Sequence, residues 1–394
     1  MKKKLLIFAV AGLALASCSS DETTASLATS GANEISFRAL NNGVTRAANS
    51  TGVKSSFEVD DIINVYADHY VSAGATHTKY FQADFTKTSV CFSSEPKKFY
   101  WPSFASGDKL TFTAIWGATQ VDGTAGQIAS LEIPGNKDIL VARHVSTTAE
   151  TLPVLNFRHT LAQVIVKVKN TNPALKVTIT DFQVGYVDKT GAFELDRTST
   201  DEVVSTDYRQ STLDGASQDA NVTLIPANKW ANTAATAPTS NYSQNLGSNV
   251  VFTATNGGTV NDEVVVLGNP WILLPQTRDA TSAAYVTTQS GTVSSSSVPD
   301  INKPYLALKM TIESYNGSAT TGTLATERWC CWPVSITWVP GKKYTYTINV
   351  ADGGYEPIDT DNDGALDPVL GSVIVFSPDC TVDNWVVSSS DVGM

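Results

Sequence analysis

Short stretches of apolar or β-branched residues, many with polar residues at every second position, constrain the fold of this chain most strongly. A two-residue period is that of a strand with one buried face, whereas a continuous apolar run is typical of a strand buried on both faces. Such stretches cover residues 109–116, 162–169, 175–180, 263–267, 305–312 and 343–350. No long segment has the 3.6-residue period of an amphipathic helix. The pattern predicts an all-β protein built from β-sandwiches.

Composition and length support this prediction. The chain has 26 Gly and 16 Pro, and only 16% of its 394 residues are charged. A chain of this length exceeds one typical domain, so we expect two. We interpret the polar ranges 203–258 and 283–297 as loops or edge strands on a sandwich rather than linkers. The net charge of −11, without a Lys/Arg cluster after residue 18, argues against a nucleic-acid partner.

The first 18 residues have the pattern of a secretory signal. Lysines at positions 2–4 precede an apolar run at residues 5–15, which is too short to span a bilayer comfortably. The run ends in Leu-Ala-Ser-Cys18, which resembles the bacterial lipobox, where the cysteine is acylated, for example with palmitate, and becomes the new N-terminus. The resemblance predicts a lipoprotein at an envelope membrane, facing away from the cytoplasm. Asp21 and Glu22 resemble a surface-export signal, or they belong to a solvated linker.

Residues 34–47 predict a short strand followed by an exposed connection. Ile35, Phe37 and Ala39 alternate with other residues, so one face of the strand should meet a core. The Asn-Asn-Gly sequence at 41–43 is typical of a turn, and Arg46 and Ala47 lie among small and polar residues. An extracellular Arg-specific protease could reach such a segment. Our hypothesis is that cleavage between Arg46 and Ala47 releases the strand; the alternative is an ordinary edge strand and loop.

The sequence lacks the motifs of common enzymes. The four histidines, His69, His77, His144 and His159, have no metal-ligand spacing. No Gly-x-Ser-x-Gly sequence or phosphate-binding glycine loop occurs. We therefore predict no enzymatic activity and no catalytic residue, and we expect His159 to be a packed, hydrogen-bonded side chain.

Four cysteines remain after Cys18, namely Cys91, Cys330, Cys331 and Cys380. They allow three disulfide pairings, between which the sequence does not choose. Cys330 and Cys331 are neighbours in a strand-like run, so their side chains should face opposite sides and at most one should enter a sandwich core. For Cys91 a disulfide or a buried thiol is expected.

An acidic motif places Asp359, Asp361, Asp363 and Asp367 at the alternating spacing of a calcium loop. The twelfth position, where an EF-hand needs a bidentate Glu, is Leu370. A solvated acidic hinge is therefore favoured over a calcium site, and we expect at most weak calcium binding and no other cofactor.

Three tryptophans leave another function open. Trp230, Trp329 and Trp332 could form an exposed glycan-binding platform, although on a sandwich such residues more often lie in a core or an interface.

Residues 155–168, from Leu155-Asn-Phe to Val168, resemble the centre of the fimbrillin family, the pilus proteins of Bacteroidales. Other similar segments follow the family's order and extend the likeness over nearly the whole chain. These segments are residues 100–102 with 110–112, residues 270–276, residues 338–346 and residues 380–385.

The resemblance implies two tandem transthyretin-like β-sandwiches joined near residues 155–161. The implied organisation is a lipoprotein signal at 1–18, a propeptide with a removable first strand at 19–46, and sandwiches at 47–158 and 159–394. In this family a surface protease cuts after an arginine, which here would be Arg46. A C-terminal strand of the next subunit, here residues 372–387, then fills the groove and builds a head-to-tail pilus.

The implied partners are other pilin subunits, an Arg-specific surface protease and the outer membrane. Three alternatives stay open. The protein could be a glycan-binding surface lipoprotein, or an uncleaved anchor or tip subunit of a pilus. Residues 372–387 could also include the ordinary last strand of the second sandwich.

Overall fold

The computed structural model describes residues 33–41, 57–195, 230–232, 241–253, 264–279, 303–352, 354–356, 367, 369–370 and 379–384. Over these residues the protein is all-β, as the sequence predicts, with short 3-10 helices at Ser72–Gly74 and Val350–Asp352. Neither helix, nor any other in this part of the chain, is long and apolar enough to cross a membrane.

The strands, in chain order, are β1 Arg38–Asn41, β2 Ile62–Val71, β3 Thr76–Lys87, β4 Phe92–Ser93, β5 Lys109–Trp116, β6 Gln127–Glu132, β7 Leu140–Ser146, β8 Val154–His159, β9 Ala162–Lys169, β10 Leu175–Gly185, β11 Thr190–Glu194, β12 Trp230–Asn232, β13 Asn241–Phe252, β14 Val265–Val266, β15 Trp271–Leu273, β16 Gln276–Arg278, β17 Tyr305–Tyr315, β18 Thr320–Pro333, β19 Ile336–Trp338, β20 Lys342–Asn349 and β21 Asp379–Asn384. All six stretches that the sequence indicated contain strands. Two strands, β12 and β13, lie in the polar range 203–258, and each forms the edge of a sheet, as expected for excursions on a sandwich.

The first half of the chain forms a seven-stranded sheet in the order β1-β8-β7-β5-β2-β3-β4. One face of this sheet packs on a core of aromatic and aliphatic side chains. The period-2 pattern builds this core, because alternate residues of β2 and β5, such as Val65 and Phe112, are fully buried on that face.

The second half packs two sheets against each other. A four-stranded sheet has the order β13-β10-β17-β18, and a five-stranded sheet has the path β14-β9-β20-β21 with β15 also paired to β9. The core between them contains Val166 of β9, Phe182 of β10 and Tyr346 of β20. A separate two-stranded ladder joins β16 and β19.

The two halves share a third core. A three-stranded sheet joins β6 from the first half to β11 and β12 from the second. The core beneath it combines Ile115 and Ile139 with Leu161 and Phe193. The backbone of Ile272 donates a hydrogen bond of 2.7 Å to the carbonyl of Gly135 across the same junction. The two halves thus share a sheet and a core, and the domain bounds 47–158 and 159–394 remain a prediction.

Candidate assembly site

Residues 33–41 link the two ends of the seven-stranded sheet. The first part of this segment lies beside β4 and the chain that follows it. The backbone N–H of Ile35 donates to the carbonyl of Phe99 over 2.8 Å. Phe37 and Phe92 exchange two backbone hydrogen bonds, of 3.0 and 2.8 Å, in an antiparallel bridge. The segment therefore extends the β4 end of the sheet.

The second part of the segment pairs with the opposite end of the sheet. β1 runs parallel to β8, with Arg38 opposite Val154 and Asn41 opposite Phe157. The N–H of Arg38 donates to the carbonyl of Pro153 over 3.0 Å. One short segment thus satisfies backbone groups at both ends of the sheet and closes the sheet around its core.

The side chains of this segment confirm the predicted orientation. Ile35 and Phe37 are fully buried in the first core. The ring of Phe37 makes edge-to-face contacts with Phe85 and Phe112 at centroid distances of 5.1 and 4.9 Å. Burial of two such side chains contributes about 3–6 kcal/mol. The predicted strand at residues 34–40 is in the structure two isolated bridges, at Glu34 and Phe37, followed by β1, and the segment is well anchored despite its length.

The polar residues of the segment are also protected from solvent. Glu34 is 8% exposed and Ser36 is 3% exposed. The Lys98 ammonium donates to the Glu34 carboxylate over 3.0 Å. This hydrogen bond and the charge of Glu34 raise the pKa of Lys98 above its ordinary value. The side chains of Glu34 and Ser36 thus lie against protein rather than open solvent.

The predicted modification sites lie outside the residues that the structure describes. These sites are the lipidation residue Cys18 and the cleavage pair Arg46 and Ala47. The ends of the connection that contains the cleavage pair are nevertheless defined. Asn41 is opposite Phe157, and the ring of Phe57 lies 4.9 Å from the ring of Phe157. Residues 41 and 57, which flank the connection, therefore both lie at Phe157 of the first core.

The described part of the predicted donor segment is β21, at the edge of the five-stranded sheet. It pairs antiparallel with β20, with Val382 opposite Tyr344 and Cys380 opposite Tyr346. Cys380, Thr381 and Val382 are exposed, and Val382 is 55% exposed. In this single chain residues 379–384 occupy the position that the alternative predicted, an ordinary last strand of the second half. Backbone bonds to one neighbour, rather than side-chain burial, hold these three residues in place.

The histidines have structural partners. His159 Nδ1 lies 2.8 Å from an Asp138 carboxylate oxygen, and both side chains are buried, which confirms the packed histidine that we expected. His77 pairs in the same way with Asp68 at 2.6 Å. Over the described ranges no group of His, Cys, Asp or Glu side chains could hold a metal ion.

His144 lies 2.9 Å from Glu150. Partial burial acts to raise the pKa of the Glu150 carboxyl, but the hydrogen bonds from His144 and Ser146 and the electrostatic interaction with His144 together leave that pKa below its ordinary value.

Cys330 and Cys331 face opposite sides of β18, as predicted. Cys330 enters the core of the second half, whereas Cys331 packs with Tyr305 and Trp329 on the other face. Burial raises the pKa of both thiols above the ordinary range. Cys91 is half-buried and Cys380 is exposed, and all four cysteines are free thiols. The disulfide considered for Cys91 is therefore wrong for this structure.

The three tryptophans considered for glycan binding are buried. Trp332 is fully buried, and Trp230 and Trp329 are 5% and 6% exposed. The indole N–H of Trp230 donates to the carbonyl of Thr160 over 2.7 Å. They therefore form no exposed platform and do not support the glycan-binding alternative.

Most of the calcium candidate lies outside the described residues, including Asp359, Asp361 and Asp363. The Glu356 N–H donates to the carbonyl of Asp367 over 2.7 Å, so that carbonyl already has a partner. Calcium binding remains a prediction.

Sequence reasoning missed two participants in the candidate assembly site. Phe92 belongs to a strand of two residues, which is too short for a periodic signal. Lys98 lies in a loop, where the sequence offers no hint of its distant carboxylate partner.

The chain and its fold are similar to those of known proteins. A search of curated proteins finds no match to the chain. A fimbrial protein from Bacteroides vulgatus has a similar solved structure, with a TM-score of 0.50 at 13% identity over 90% of this chain and 99% of that chain. A Bacteroides ovatus structure, described provisionally as a cell adhesion protein, has a TM-score of 0.43 at 14% identity over 91% of this chain and 100% of that chain. A family model matches residues 45–385, and the chain therefore belongs to the fimbrillin-like family.

Proposed function

We propose that this protein is a subunit of a cell-surface pilus that serves adhesion, and that it assembles by exchange of its first strand. Membership of the fimbrillin-like family supports the role of pilus subunit. The observation that carries the exchange mechanism is the position of residues 33–41, which place Ile35 and Phe37 in the first core while pairing with both ends of one sheet.

In this proposal the precursor is exported as an outer-membrane lipoprotein acylated at Cys18. An Arg-specific surface protease cuts between Arg46 and Ala47 and separates the propeptide, residues 19–46, from the rest. Residues 41 and 57 both lie at Phe157, so the two flanks of the connection should stay on the first core after the cut. The first strand is afterwards held only by non-covalent contacts.

Loss of the strand exposes a groove that favours a replacement. The backbone groups of Phe92, Phe99 and Pro153 lose their partners, and the slot around Ile35 and Phe37 opens. A strand from another copy restores both the main-chain bonds and the apolar contacts. Because donor and acceptor lie in different places on the subunit, the contact does not close on itself and a fibre grows.

Residues 372–387 are the donor in this proposal. β21 pairs with one neighbouring strand in the part of the chain that the structure describes, and three of its side chains are exposed. Release of β21 from β20 therefore breaks backbone hydrogen bonds but exposes little additional apolar surface. The proposal includes no enzymatic activity, nucleic-acid partner or required cofactor.

Substitution Arg46→Ala tests the mechanism on the bacterial surface. The variant should keep its N-terminal segment and remain a folded, lipid-anchored monomer, as measured by mass spectrometry of the N-terminus and electron microscopy of the cell surface. Arg38→Ala is the matched control, since Arg38 lies within β1 rather than at the cut. Filaments formed by the Arg46→Ala protein would disprove protease-triggered exchange. An unprocessed wild-type protein would instead indicate an anchor or tip subunit, or a monomeric surface lipoprotein.

A further inference from the structure

The sequence Ile-x-Phe occurs twice in this chain, at Ile35–Phe37 and at Ile374–Phe376. The first pair fills the slot described above, and the second lies within the proposed donor, residues 372–387. We propose, on the basis of the strand exchange above, that Ile374 and Phe376 of one subunit take the places of Ile35 and Phe37 in the next. This assigns a register and a direction to the donor strand.

The slot itself demands this spacing. Ile35 and Phe37 are completely buried, and the Phe37 ring is fixed by edge-to-face contacts with Phe85 and Phe112. A replacement that keeps both side-chain types keeps the core volume, which a packed interior tolerates best. A slip of one residue would turn both apolar side chains away from the core.

The residues beside the Ile-x-Phe pair favour the donor over residues 34–37, the segment that fills the slot in the uncleaved chain. In this register Val373 and Val375 take the places of Glu34 and Ser36. Glu34 and Ser36 are each more than nine-tenths buried. Valine at such positions buries apolar surface and requires no polar partner, whereas Glu34 is desolvated and depends on Lys98. The donor is therefore more apolar than residues 34–37 at positions 373 and 375, and it is identical to them at positions 374 and 376.

The proline that follows fits the hydrogen-bond pattern of the groove. In this register Pro378 takes the place of Ala39. The N–H of Arg38 donates to the carbonyl of Pro153, the residue immediately before β8. Because alternate residues of a parallel pair donate to the same neighbour, the N–H of Ala39 is directed away from β8. Proline, which has no N–H, then costs no bond to β8. The donor accordingly runs parallel to β8 and antiparallel to β4.

An engineered disulfide between subunits tests the register. Arg38 is opposite Val154 in the parallel pair, so Ser377 of the donor should lie opposite Val154 of the acceptor. Neighbouring strands are about 4.8 Å apart, which is within the range that a disulfide can bridge. The chain with Val154→Cys and Ser377→Cys, in a Cys91→Ser and Cys380→Ser background, is cleaved by the Arg-specific protease and oxidised with glutathione disulfide. It should give a ladder of covalent multimers that a reducing agent collapses to one band.

Matched variants define the outcomes. Val154→Cys combined with Val375→Cys or Asp379→Cys shifts the second thiol by two residues on the same face, and should give at least tenfold less multimer. Uncleaved protein should give none, because Arg38 still occupies the position opposite Val154. Filaments whose strongest crosslink lies at 375 or 379, or that crosslink at none of the three positions, would overturn the register but leave strand exchange intact. Wild-type protein that is cleaved and never polymerises would overturn the proposed function itself.

Discussion

Phe37 and Phe92 exchange two backbone hydrogen bonds. The strands next to them in the chain, β1 and β4, are the two end strands of the seven-stranded sheet. Phe37 precedes β1, which pairs with β8, whereas Phe92 opens β4. This bridge makes the sheet continuous around its core. It also means that one removable segment controls both ends, because any strand that replaces it must reach β4 and β8 together.

The buried ring of Phe37 should dominate the stability of the precursor's first half. We expect Phe37→Ala to lower the free energy of unfolding by about 3–5 kcal/mol, since the change removes a fully buried aromatic side chain and leaves a cavity. Denaturant unfolding of the uncleaved protein measures the effect. Arg38→Ala, at a half-buried position, should cost under about 1 kcal/mol. Equal effects of the two changes would show that the slot does not depend on the ring.

Removal of the donor should separate processing from growth. A chain that ends at residue 371 should still be cleaved after Arg46, because its first core and groove are unchanged, but it should not donate a strand. Mixed with the full-length protein it should accept one strand and stop elongation, so filament length measured by electron microscopy should fall as its share rises. Unchanged lengths at equal amounts of the two chains would place the donor elsewhere.

The cysteines should differ strongly in reactivity. Cys380 is exposed, whereas Cys330 and Cys331 are fully buried and burial raises the pKa of their thiols. Since the thiolate is the reactive form, a thiol reagent at neutral pH should modify Cys380 first and Cys330 and Cys331 only after unfolding. Mass spectrometry after timed labelling identifies the sites. Early labelling of Cys330 in folded protein would contradict the packing of β18.

Calcium should bind weakly at the acidic motif. Asp359, Asp361, Asp363 and Asp367 offer carboxylates, but Leu370 replaces the bidentate Glu that completes an EF-hand loop. Calorimetry should therefore show a dissociation constant of about 1 mM or weaker. Sub-micromolar binding that disappears in Asp361→Ala with Asp363→Ala would refute the prediction; Asp181→Ala, outside the motif, is the control.

Local sequence patterns determined the strands and the faces of their side chains. The orientation of Ile35 and Phe37 and the opposite facing of Cys330 and Cys331 both follow from the two-residue period of an extended chain. This period acts between near neighbours, so it can be read without knowledge of the fold.

Only the tertiary structure decided which strands are neighbours. The pairing of residues 33–41 with both Phe92 and β8, the sheet that joins β6 to β11, and the salt bridge of Glu34 with Lys98 all connect segments distant in sequence. Backbone hydrogen bonds are the same for every residue type apart from proline, so side-chain pattern does not specify their partner. The pairing of strands is instead selected by how all the apolar faces pack together. In this chain that packing places residues 33–41 between the two ends of one sheet.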